Sequence, residues 1–201
     1  MFTDGAEMPE GLGAHLRYPQ DLFRIQGEIY LDYHVDDPSE FFTRNDAWSI
    51  PADPATIRRG LFPGAELLNG DIVQPSGQVE HLRELLPYYL MAQLPGENEL
   101  SYLLLQPFNP RQRPNMSAFL VADAPTPEEP ARLIDFRMPQ GSLVGGTGQV
   151  GDRIQQNDEI AEQFTLWSQQ GSTVIRGDIL VVPIEESIMY IQPIYLQAQE
   201  Q

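Results

Sequence analysis

The stretch from Pro87 to Gln106 constrains the fold of this 201-residue chain more than any other. Tyr88-Tyr89-Leu90-Met91-Ala92-Gln93-Leu94 and Leu100 to Gln106 are apolar runs separated by Pro95-Gly96-Glu97-Asn98, four residues of turn chemistry. Two such runs around a short glycine-containing turn form a β-hairpin. Met116 to Ala122 and Arg132 to Met138 make a second pair, split by the proline-rich acidic loop DAPTPEEP at 123–130. Thr173 to Val182 and Ser187 to Leu196 make a third, around Glu185-Glu186. Hairpin partners run antiparallel, so the sheet they build is antiparallel.

Helical patterns stand before and between these strands. Pro19 and Asp21 open a helix that runs to about His34, and Leu22, Ile25, Ile29 and Tyr33 place apolar side chains on one face. That face is expected to pack on the sheet. Asp37-Pro38-Ser39-Glu40 starts a second short helix carrying Phe41 and Phe42, and Trp48 and Ile50 anchor the stretch that follows. Residues 51–80 read as loop, and His81 to Leu86 as a turn of helix. Residues 152–169 form the last helix, with Ile160, Phe164 and Trp167 on one face and Gly171 in the stop position. Eighteen prolines keep every element short.

Helices, then strands, one helix, then strands is not a βαβ order, and it predicts α+β. The expected architecture is an antiparallel sheet of about six strands covered by two main helices, near 19–34 and 152–169. It is read as a single soluble domain or fragment over 1–201. Residues 1–17 are its irregular lead-in, 18–86 its helical and loop-rich part, and 87–201 its sheet-rich part.

Charge and composition exclude several functions. Twenty-nine acids against twelve bases give −17, a surface that repels phosphate backbones, so no nucleic-acid partner is expected. Every base is arginine, which removes lysine Schiff-base chemistry and the P-loop lysine; zero cysteines remove disulfides, thiolate metal sites and cysteine nucleophiles. His15, His34 and His81 are scattered without metal spacing and read as solvent-facing or packed; no metal site is expected. Adjacent acids such as Asp36-Asp37 and Glu185-Glu186 read as caps or turns.

One motif spells a cofactor site. Gly146-Thr147-Gly148-Gln149-Val150-Gly151 is a literal G-x-G-x-x-G ahead of a helical stretch. A dinucleotide turn also needs a strand running directly into the first glycine and an acid closing the next strand. Pro139-Gln140-Gly141-Ser142 cuts the approach, and the strand expected around Asp178 continues past it into Ile179-Leu180-Val181-Val182. The segment therefore reads as a strand-to-helix loop, with no nucleotide partner and no cofactor.

Arg111 and Arg113 run against the grain of an acid-rich chain, one residue apart on the proline-bounded connection PFNPRQRPN. If that connection is extended, both guanidinium groups project to one side and can contact an anion or a partner. Pairing with nearby acids such as Glu97, Glu99 or Asp135 is the competing and favoured fate.

Four blocks carry a family resemblance: AHLRYPQDLFRIQ (14–26), the run from Tyr88 to Ala122, GQVGDRIQQNDEIAEQFTLW (148–167) and GSTVIRGDILVVPIEESIMYIQPIYLQA (171–198). Together they resemble uncharacterised protein family 0182, large bacterial proteins with several membrane spans followed by a long extracytoplasmic region. The resemblance implies that this chain is an extracytoplasmic soluble domain at the cell membrane. Its expected partners are the membrane-spanning part of its own full-length protein and, beyond that, other envelope proteins or cell-wall components. The expected function is binding or assembly rather than catalysis; the alternative is a carboxylate-based hydrolase acting on an envelope component. The resemblance carries no catalytic residue.

Overall fold

The computed structural model describes residues 9, 11–34, 47–53, 66–68, 71–73, 79–81, 84–94, 96, 97, 99–111, 113–124, 130–139, 143–169, 172–184 and 187–198. After a 3-10 turn at Gly13–His15 come helix α1 (Gln20–Tyr33) and strands β1 (Trp48–Ser49), β2 (Glu66–Leu68), β3 (Asp71–Val73) and β4 (Val79–His81). The strands β5 (Tyr88–Gln93), β6 (Leu100–Pro110), β7 (Ala118–Asp123) and β8 (Arg132–Arg137) follow. Helices α2 (Thr147–Gln156) and α3 (Asp158–Gln169) lead to β9 (Ser172–Arg176), β10 (Leu180–Ile184), β11 (Ser187–Ile191) and β12 (Ile194–Ala198). The expected helix at 37–42, the Gly171 stop and the Glu185-Glu186 turn lie outside the described residues.

The fold is α+β, and each ladder with a described register is antiparallel. The strands divide among a five-stranded sheet, a three-stranded sheet and two pairs, β10 with β11 and β9 with β12. The chain forms two compact units. One comprises Met1–Ile50, Leu86–Val144 and Val182–Met189, the other Pro51–Leu85, Gly145–Val181 and Tyr190–Gln201.

In the first unit β6 carries β7 along one edge and β5, then β1, along the other. The β5–β6 hairpin sets Tyr88 opposite Leu105 and Gln93 opposite Leu100. Its turn uses Gly96 at φ 85°, a left-handed conformation that glycine adopts without steric cost. The strand outruns its expected end at Gln106 and continues through two prolines to Pro110. Pro107 is tolerated because it falls after the last β5 partner, Leu105, and before the first β1 partner, Asn109, where no ladder donor is needed.

Alternation along β6 and β7 sorts the core. Leu104, Phe108, Ala118, Leu120 and Ala122 share one cluster with Phe23 of α1 and Trp48 of β1. Leu103, Leu105 and Val121, on the opposite face, are fully buried as well. Buried on both faces, β6 and β7 read as near-continuous apolar runs.

Helix α1 is the main departure from expectation. Its buried positions are Phe23 and Gly27; Tyr30 and Leu31 are partly buried, and His34, which caps its C-terminus, is buried. Leu22, Ile25, Ile29 and Tyr33 point outward, with relative exposures of 46%, 52%, 54% and 81%. The reason is steric and aromatic. Gly27 faces the Phe108 ring, whose Cζ would lie 3.9 Å from an added Cβ, ordinary van der Waals contact, so the helix sits close to the sheet on that side. The rings of Tyr30 and His34 then meet Trp48. The sheet selected the aromatic stripe over the aliphatic one.

In the second unit the region read as loop contains the three-stranded β2-β3-β4 sheet. His81 ends β4 and Glu84 bridges Ala52, so backbone pairing replaces the expected helical turn. The helix expected over 152–169 is two. The first opens at Thr147, within the glycine segment, and the break is Asn157, at φ −76° and ψ 118°. Asn157 Oδ1 accepts from the Ile160 N–H at 3.0 Å, capping α3.

The last hairpin is interrupted at 177–179, so the strand does not continue through Asp178 as expected. Gly177 N–H donates to Pro193 O at 2.9 Å, and a Cβ on Gly177 would stand 2.7 Å from Pro193 Cγ. The two segments come close together there, and glycine provides the room.

Candidate functional site

The face of the first unit's sheet that meets α1 also carries Asp135 and Arg137, because residues two apart on β8 share a side. Arg137 holds the end of α1. Its Nη2 donates to His34 O at 2.9 Å and its Nε to Asp135 Oδ2 at 2.9 Å, while its guanidinium lies 5.8 Å from the Trp48 ring centroid. A cation on the last carbonyls is also favoured by the helix dipole. The His34 ring is buried and stacks on Trp48 at 3.8 Å and 16°. Its Nδ1 lies 2.9 Å from Tyr30 O and 3.1 Å from Leu31 O. Carbonyls only accept, so Nδ1 carries a proton, and Nε2 is buried with no hydrogen-bond partner among the described residues. No group of three His, Cys, Asp or Glu able to hold a metal occurs among the described residues, and His34 reads as a packed histidine.

Tyr30 completes the tie by hydrogen bonding to Asp135. Burial, then the Asp135 carboxylate, push the Tyr30 hydroxyl up to about 12 against the pull of Arg137. Burial works to raise Asp135, but Tyr30 and Arg137 outweigh it and hold the carboxyl below its usual value. The arrangement clamps a helix to a sheet. A measurable consequence follows for Tyr30. Between its ordinary value near 10 and about 12, the unfolded chain has released a proton that the folded chain keeps. The tyrosine's contribution is therefore complete below pH 10 and fades as pH climbs through 12. Melting temperatures of the wild type should fall more steeply over this interval than those of Tyr30→Phe. Parallel slopes would show that Tyr30 is not so held.

What the clamp fixes in place is the outward side of α1. Leu22, Ile25, Ile29 and Tyr33 fall on one arc of the helix, and Asp21, Arg24, Glu28 and Asp32 lie between that arc and the buried side. Covering a half-exposed Leu or Ile contributes about 1 kcal/mol. Four such side chains on one helix make a contiguous exposed apolar stripe.

A second feature lies in the other unit. Ile154, Ile160, Phe164, Trp167 and Ile194 line an open cleft of about 430 Å³. Glu159, Gln163 and Gln192 are its polar members.

The residues singled out in the sequence fall elsewhere. Arg111 and Arg113 are exposed, and their connection is not extended: Arg113 N–H donates to Pro110 O at 3.1 Å, closing a turn. Two of the favoured acids, Glu97 and Asp135, are otherwise engaged. Arg132 bonds Glu97 at 2.9 Å and Asp123 at 2.6 Å, while Arg137 takes Asp135. Neither Arg111 nor Arg113 forms an ion pair among the described residues. At the glycine segment, β8 ends at Arg137, Val144 O accepts from Met116 N–H at 2.8 Å, and α2 begins at Thr147. Gly148 and Gly151 are helical residues, and Gln149 Oε1 accepts from Gly146 N–H at 3.2 Å. No strand among the described residues runs into Gly146. The α1 stripe and the cleft are each partly legible in sequence, as Leu22/Ile25/Ile29/Tyr33 and Ile160/Phe164/Trp167, where both read as faces that pack on the sheet; of these residues Phe164 is buried.

The model of the Uncharacterised protein family (UPF0182) matches residues 1–167. UPF0182 proteins of Desulforamulus reducens and Trichodesmium erythraeum are each 38% identical over 200 residues, covering 100% of this chain and 19% of their own length. A UPF0182 protein of Cupriavidus necator is 39% identical over 199 residues, covering 99% of the chain and 20% of its own length. The chain thus spans about a fifth of the curated relatives it matches. No solved structure matches it.

Proposed function

This chain belongs to uncharacterised protein family UPF0182, and from that premise we propose that it is a binding or assembly module rather than an enzyme. It is an extracytoplasmic domain of a bacterial membrane protein and docks through α1 onto the membrane-spanning remainder of its own polypeptide. The observation that carries this reading is the outward stripe Leu22/Ile25/Ile29/Tyr33, set on a helix clamped from behind. The relatives' greater length supports an occupant within the same polypeptide, since about four-fifths of it lies outside the matched region. The family resemblance supports the membrane setting. A carboxylate-based hydrolase needs a carboxyl kept protonated, and Asp135, whose carboxyl is held below its usual value, does not supply one.

Ile25→Asp combined with Ile29→Asp tests the reading. Both positions are exposed, so the 201-residue chain should lose no more than about 0.5 kcal/mol per substitution. In the longer polypeptide the same pair should expose the junction with the remainder to limited proteolysis. Unchanged protease resistance would sink the proposal. If the wild-type chain self-associates and the variant does not, a second copy is the occupant instead.

A further inference from the structure

We propose that the cleft beside α2 and α3 binds a small organic cation with an apolar body, an arylalkylammonium. Its volume of about 430 Å³ accommodates one ring and a short tail, towards the lower end of small-molecule sites. Isoleucine, phenylalanine and tryptophan side chains supply the apolar wall. The polar groups decide the sign of the head group. Glu159 is a carboxylate, an acceptor only. Gln192 donates its Nε2 to Gly177 O at 3.0 Å, which fixes the amide, because the reverse orientation would oppose two carbonyl oxygens. Its Oε1 is left buried with no hydrogen-bond partner among the described residues. Gln163 can serve either role. The one charged group among the described residues that a ligand meets in this cleft is therefore the Glu159 carboxylate, which suits a cationic head.

The aromatics and the local field agree. Phe164 and Trp167 stand 5.9 Å apart at 54°, an angled wall against which a cation is attracted by the ring quadrupoles. Arg176 already places its guanidinium 4.0 Å from the Phe164 centroid, and it does not line the cleft. Its positive charge is outnumbered by Asp158, Glu159 and Glu162 on α3, a helix without a basic residue, in a chain of net charge −17. An anionic head would face the same carboxylates.

The test uses the two tryptophans of the 201-residue chain. Trp167 lines the cleft, whereas Trp48 is buried in the other unit and serves as an internal reference. Phenethylammonium chloride titrated into ¹⁵N-labelled protein should shift the Trp167 indole N–H saturably and leave that of Trp48 in place. The anion 3-phenylpropionate should bind about tenfold more weakly. Glu159→Gln, at an exposed position and checked by its melting temperature, should lower cation affinity about fivefold and leave neutral 2-phenylethanol unaffected. Equal affinity for cation and anion, an unmoved Trp167, or a Glu159→Gln protein that binds the cation as before would overturn the proposal.

Discussion

Trp48→Ala is expected to destabilise the protein by about 3–5 kcal/mol, the usual loss when a large aromatic leaves a well-packed core. Trp48 stands opposite Pro110 in the shortest strand of its sheet, so its hold on the fold is through its ring rather than its ladder. That ring stacks on His34 at 3.8 Å, lies 6.0 Å from Phe108 and faces the Arg137 guanidinium. Removing it opens a cavity between α1 and the sheet and uncovers a histidine whose Nε2 is already unpartnered among the described residues. Domains of this size are stable by only about 5–15 kcal/mol, so the variant should show a far lower urea midpoint at unchanged slope. A loss below about 1 kcal/mol would mean that the aromatic stack is not what joins α1 to the sheet.

Leu105→Ala probes the opposite face of the same sheet and should cost about 2–5 kcal/mol. Leu105 is fully buried between Tyr88 of β5 and Val121 of β7. Its neighbours are held by ladders on both edges of β6 and cannot easily collapse into the space. Stability measured by urea unfolding should therefore fall by the transfer free energy of the lost methyl groups plus a cavity contribution. A cost under about 1 kcal/mol would show that this face is not closely packed.

The hairpins were legible in sequence because their signals are local. Pro95 to Asn98 separates two apolar runs, and the β5–β6 register follows directly from that turn. Fold class was legible for the same reason, since element order alone distinguishes α+β from a βαβ array. The orientation of α1 was not. Leu22/Ile25/Ile29/Tyr33 and Phe23/Gly27/Tyr30/His34 both recur at helical spacing, and hydropathy favours the first. What decided between them was the chemistry of the sheet face, with Trp48 and Arg137 requiring partners for a ring and a guanidinium. Those are properties of the assembled surface. The break at Gly177 was hidden likewise, because its cause, Pro193, lies sixteen residues away and comes close only when β9 pairs with β12. Arg111 and Arg113 project to one side only if their connection is extended, and local sequence does not show the turn that closes on Pro110.

Thiol reactivity at α1 tests the docking surface most directly. The chain has no cysteine, so Ile29→Cys introduces a single reporter within it, and any cysteines in the rest of the longer polypeptide can be changed to serine. In the 201-residue chain Ile29 is 54% exposed, and the thiol should react with a maleimide at close to the rate of an unhindered thiol. In the longer polypeptide the account predicts protection of about tenfold or more, the protection expected if a docked surface opens at a cost of about 1.4 kcal/mol. Equal reactivity in the two proteins would contradict it.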